Sequence, residues 1–88
     1  MQFLVIGRPA AGGDPEEFQR LVPYETEELR EQKAKGTLTG AWSSGRPGAV
    51  LMLEAADEDE TASILATFPL VQADEITTEI IPLHPIDL

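Results

Sequence analysis

The chain has no cysteine, one histidine, one tryptophan and one tyrosine. Without thiols there can be no disulfide, thiolate metal site or thiol nucleophile. Any imidazole chemistry must fall on His84, and no H-x-H, E-x-x-H or H-x-x-x-D spacing surrounds it, so no metal site is expected. Basic residues are also scarce, 6 against 16 acidic ones, for a net charge of −10. A groove that neutralises phosphates needs clustered Lys and Arg. The one dense basic stretch, Arg30, Lys33 and Lys35, closes a predicted helix, where the dipole favours positive charge. Nucleic acid is therefore not an expected partner. No apolar run approaches the ~20 residues of a membrane span. The start, MQFLVIGRP, lacks the basic and then long apolar pattern of a secretion signal. The expectation is a cytoplasmic protein without a membrane partner. No GxxxxGK[ST], GxGxxG or G-x-S-x-G pattern is present, so no nucleotide or flavin site is expected and the expected cofactor list is empty. The acidic run Asp57–Glu60 lacks calcium-loop spacing and reads as a helix start.

With 88 residues, 42% of them hydrophobic and 25% charged, residues 1–88 read as one globular domain with a thin core. Residues 1–8 form a nearly all-apolar strand, of the kind covered on both faces. AAGGDP is a loop ending in Asp14 as helix N-cap and Pro15 at the first helical position. The helix runs to about Lys35 and stops at Gly36, with Pro23 expected to kink or split it. Residues 37–43 form a strand in which Gly40 marks a bulge or a close approach, and 49–55 its hairpin partner. Asp57 and Glu60 open a second helix to about Thr67, which Pro69 ends; 75–83 is the last strand. The order is β-α-β-β-α-β, the ferredoxin-like α+β arrangement with a four-stranded antiparallel sheet. Its two helices cover one face of the sheet. Apolar residues on both strand faces then call for a second cover, for which another copy of the chain is the expected partner: a homodimer, or a higher oligomer of dimers.

Glu25 is the most informative position. At 3.6 residues per turn, Phe18, Leu21, Val22 and Leu29 share a narrow arc of the first helix. Glu25 sits within that arc, four residues from Leu21 and four from Leu29. A carboxyl group facing the sheet is desolvated, which raises its pKa toward the range useful for proton transfer. If instead Pro23 breaks the register, Glu25 turns to solvent beside Glu27 and Glu28. His84 reads either as an exposed tail residue or as a group closing over a partner's cleft. Tyr24 and Trp42 read as packing or as pocket residues, with Tyr24 offering a hydroxyl. Phe18 shares the arc of Glu25 and is expected to contact the same ligand. Arg8 could hold a carboxylate or enolate, or pair with a surface acid. Glu79, on the strand face of Thr77 and Ile81, is a further candidate.

The chain resembles the muconolactone isomerase-like family of the dimeric α/β-barrel, ferredoxin-like superfamily. The resemblance runs through Asp14-Pro15, Leu21, Glu25, Gly36-Thr37 and Trp42, then L-A-T-F-P-L-V-Q-A-D-E-I and the His84-Pro85 pair. It implies a small cofactor-free acid–base enzyme, with Glu25 on the family's first-helix glutamate and His84 on its C-terminal His-Pro. Leu4 and Ile6 stand where the family's isomerase has His and Lys, and Thr39, Gly40 and Ser43 replace basic residues flanking the tryptophan. Without those cations the site suits a less charged, more apolar substrate than an anionic lactone. The expected function is an isomerase or cyclase acting on a hydrophobic small molecule, such as an unsaturated lactone or a polyketide-like intermediate. In that reading Glu25 moves the proton while Tyr24, Arg8 or His84 stabilises an oxyanion. Two other readings stand beside it: a cofactor-free monooxygenase of aromatic polyketides, and a non-catalytic dimeric binding or accessory protein.

Overall fold

A computed structural model describes all 88 residues. The elements are β1 (Gln2–Pro9), α1 (Pro15–Lys35), β2 (Leu38–Ser43), β3 (Ala49–Glu54), α2 (Glu58–Leu65), α3 (Pro69–Gln72) and β4 (Ile76–Leu83). The sheet order is β2-β3-β1-β4, and every neighbouring pair is antiparallel. This is the ferredoxin-like arrangement. β1 holds the centre, with Val5 opposite Leu51 on one side and Ile80 on the other.

Local chemistry explains the boundaries. Asp14 adopts extended backbone, and its side chain accepts from the amides of Glu16 at 3.0 Å and Glu17 at 3.5 Å. At the other end Gly36 takes the left-handed conformation, φ 83°, that releases the chain from α1. Between them Pro23 does not split the helix, which runs unbroken for 21 residues. Pro23 is exposed, and the carbonyl it leaves without a donor belongs to Gln19, an exposed residue whose oxygen water can serve. The second helix ends at Leu65, short of Thr67, and Pro69 opens the new helical turn α3 instead of only closing the old one. A proline fits the first helical position because the amide it lacks has no partner there in any case.

The side chains of Phe3, Val5, Leu38, Leu53, Leu65 and Phe68 fill the space between the sheet and the helices. Buried polar groups are paired: Gln32 donates to Glu28 at 2.9 Å and accepts from Thr37 at 2.6 Å, fastening the end of α1 to β2. The opposite sheet face carries Leu4, Ile6, Val50, Met52 and Ile81, half-buried, and Trp42, 57% exposed. Gly40 serves as both bulge and close approach. The β2–β3 register shifts between Leu38 and Gly40, and the Trp42 ring lies so close that a Cβ at 40 would come within 2.5 Å of it.

Leu53 has no exposed surface. Leu53→Ala should cost about 2–5 kcal/mol, a large part of the ~5–15 kcal/mol that a whole domain has. Urea denaturation measures it, and a loss below ~1 kcal/mol would contradict this packing.

Candidate active site

A cavity of about 560 Å³ lies between the sheet, α1 and α3. The register explains the space. On the inner sheet face Gly7 pairs with Ala49 on one side and Thr78 on the other, so one row across three strands carries only small side chains. Larger groups, Val5, Leu51 and Ile76, bound this floor, and Phe18, Leu29 and Val71 supply the opposing wall. The volume is that of a small-molecule site. No Lys, Arg or His lines it, and its acidic side chains are Glu25 and Glu75.

Glu25 reaches the cavity through the helical phase of α1, and it is half-buried. Its Oε1 accepts the amide of Leu70 at 3.0 Å. That amide belongs to the first turn of α3, whose N-cap residue, Phe68, contributes no capping side chain. Glu25 thus satisfies from a neighbouring helix a donor that α3 cannot satisfy itself. Its Oε2 has no protein partner. Burial raises its pKa above the usual carboxylate value; the Leu70 amide opposes the shift and the charge of Glu28 adds to it.

Glu75 escapes the sequence reading, which places it in the last strand. The strand begins one residue later, at Ile76, and Asp74 takes a left-handed φ of 57° just before it. This turn closes α3: the Glu75 amide donates to the Leu70 carbonyl at 2.9 Å. The alternation of β4 therefore does not govern Glu75. Its side chain is only 6% exposed and accepts the Asp14 amide at 2.9 Å with one oxygen and 3.2 Å with the other. Leu70 links both acids, donating its N–H to Glu25 and accepting from Glu75 at its carbonyl. The sequence held one signal for this residue, the neighbouring Gly13, where a Cβ would come within 2.7 Å of the Glu75 carboxyl.

Of the residues singled out by sequence, the structure brings only Glu25 and Phe18 to the cavity. Tyr24 is 56% exposed on the outer side of α1, and His84 is exposed beyond β4. Arg8 and Glu79 pair at 3.2 Å on the other sheet face, which also carries Trp42. No group of three or more His, Asp or Glu residues is placed to hold a metal, and no helix is long and apolar enough to cross a membrane.

Comparison with known proteins now adds to the geometry. A search of curated proteins finds no match. Among solved structures, muconolactone isomerase superposes with a TM-score of 0.72 at 21% identity, covering 100% of this chain and 95% of the other. The 5-chloro-2-hydroxyhydroquinone dehydrochlorinase TftG of Burkholderia phenoliruptrix AC1100, in complex with 2,5-dihydroxybenzoquinone, superposes with a TM-score of 0.67 at 19% identity, covering 96% and 94%. At these identities the likeness speaks for the fold. The family model for muconolactone delta-isomerase matches residues 1–87, so the chain belongs to the muconolactone delta-isomerase family.

Proposed function

We propose that the cavity is the active site of a cofactor-independent proton-transfer enzyme, an isomerase or cyclase acting on a hydrophobic small molecule. The observation that carries this reading is Glu25: a half-buried carboxyl group that lines an apolar cavity, with one oxygen anchored on Leu70 and no protein partner on the other. The anchor fixes its orientation, and burial raises its proton affinity. These are the two requirements of a general base that must also return the proton. For an unsaturated lactone, Glu25 takes a proton from the carbon between the carbonyl and the double bond. The electron pair spreads over the dienolate, and the same proton returns at the far carbon, leaving a conjugated double bond. The isomerase and dehydrochlorinase neighbours support a small-molecule reading of the family. A purely structural scaffold would instead be filled between helix and sheet, where this chain has about 560 Å³ of space.

The absence of cations from the wall supports a substrate without a carboxylate. Tyr24 and His84 are exposed away from the cavity and take no part in the proposed chemistry. We place a contact between copies on the face of Leu4, Ile6 and Met52, in a homodimer that buries Trp42 and the Arg8–Glu79 pair.

Glu25→Gln should lower the isomerisation of α-angelica lactone, a neutral β,γ-unsaturated lactone, at least ~100-fold. The amide oxygen still accepts from Leu70, so the fold should persist. Because the folded pKa of Glu25 is raised, folding takes up a proton, and the cost of this residue is absent at acid pH and grows as pH rises through the folded pKa. The variant should therefore match or exceed the wild-type melting temperature at neutral pH. A variant with unchanged turnover would remove the mechanism.

Ionised Glu25 is the base, so kcat/KM for the same lactone should rise with pH through a midpoint above the ordinary carboxylate value of 4.5. A flat profile from pH 4 to 7 would count against a carboxylate base.

Ile6 lies at the middle of the open sheet face. Ile6→Glu should convert the dimer to monomer in light scattering after size exclusion, with the far-UV spectrum unchanged. A wild type that is monomeric at ~100 μM would refute the dimer.

A further inference from the structure

Glu75 has no part in the proton transfer just described, yet it is the most deeply buried acid in the chain and lines the same cavity. A carboxylate offers about four acceptor positions. Here both oxygens share a single protein donor, the Asp14 amide. Backbone fixes the residue on every side: its amide bonds Leu70, its carbonyl accepts from Ala10 at 2.9 Å, and its carboxyl lies against the bare Cα of Gly13. The residue has little exposed surface and lines the cavity, which is the outlet for its unused acceptor positions. A carboxyl group with spare acceptor capacity beside an apolar space gains from a ligand hydrogen-bond donor. A ligand anion would meet two acids there and no cation.

We propose that Glu75 is a ligand-binding residue that accepts a hydrogen bond from a hydroxyl group on a neutral, otherwise apolar molecule, fixing that group beside Gly13. The substrate class is then a phenol or enol in place of a carboxylic acid. Glu75 sets which end of the molecule lies at the β1–α1 loop, and so which carbon faces Glu25. The inference rests on the cavity being a ligand site and does not require Glu25 to be the base. A residue that only fastened the loop would hold Asp14 equally well whatever the ligand carried.

The test uses the full chain and three naphthalene probes: 1-naphthol, 1-methoxynaphthalene and 1-naphthoate. Calorimetry or amide NMR titration should show 1-naphthol binding at least ~10-fold more tightly than its methyl ether, as a hydrogen bond to a charged acceptor requires. Naphthoate should not bind measurably, and the Gly13 and Asp14 amide signals should shift with 1-naphthol. In Glu75→Gln the amide oxygen must take the Asp14 N–H and the amide NH2 then faces the cavity, so the preference for the hydroxyl should fall to within about twofold. Glu25→Gln should keep the preference, which separates this inference from the proposed catalysis. Equal affinity for naphthol and its ether in the wild type would overturn the inference, as would failure of both to bind or a preference that survives Glu75→Gln. If Glu75→Gln fails to fold, the wild-type preference and the Asp14 shift decide it.

Discussion

The hydrogen bond from the Leu70 amide to Glu25 ties the fold to its chemistry. A carboxyl group facing an apolar cavity costs several kcal/mol unless it is neutralised or paired. A helical first turn with no capping side chain leaves amide donors unmet. Joining the two offsets both costs, since a hydrogen bond to a charged group contributes about 1.5–3 kcal/mol. The bond also holds α3 against α1, and with it the wall of the cavity. Its strength is limited by design of the surroundings: one donor serves Glu25, no cation approaches, and the Glu28 charge opposes full ionisation. The result is a carboxyl group that is oriented yet keeps a raised proton affinity, as the proposed proton transfer requires.

The two faces of the sheet divide the work. The inner face carries a row of small residues at Gly7, Ala49 and Thr78, which leaves space for a ligand under α1. The outer face carries Leu4, Ile6, Val50 and Met52 with Trp42 folded over Gly40, an apolar patch edged by the Arg8–Glu79 pair and the face we propose for a second copy. A thin core makes both economies risky, because every unfilled volume and every exposed apolar residue weighs against a small total stability. The dry center formed by Phe3, Leu53 and Phe68, each almost fully buried, offsets that weakness.

Much of this was legible in the sequence. Asp14, Pro15 and Gly36 bound the first helix because capping is a local affair of a few residues, and helical phase points Glu25 toward the sheet provided that the helix keeps its register past Pro23. The continuity of α1 through Pro23 was not legible, since it depends on which side of the helix faces water. Glu75 was hidden for a related reason: its direction is set by the left-handed turn at Asp74, and periodicity has nothing to say about a residue between elements. Arg8 and Glu79 are far apart in sequence, and only the β1–β4 register reveals that they meet each other on the face away from the cavity.

Direct observation of the Glu25 carboxyl carbon by NMR across pH 3 to 8, at natural protonation and without ligand, tests the central claim most directly. A midpoint clearly above 4.5, with the Leu70 amide signal moving through the same transition, is the predicted result. A midpoint at or below that of a solvated glutamate, with Leu70 unresponsive, would contradict a dry, anchored carboxyl group and the chemistry built on it.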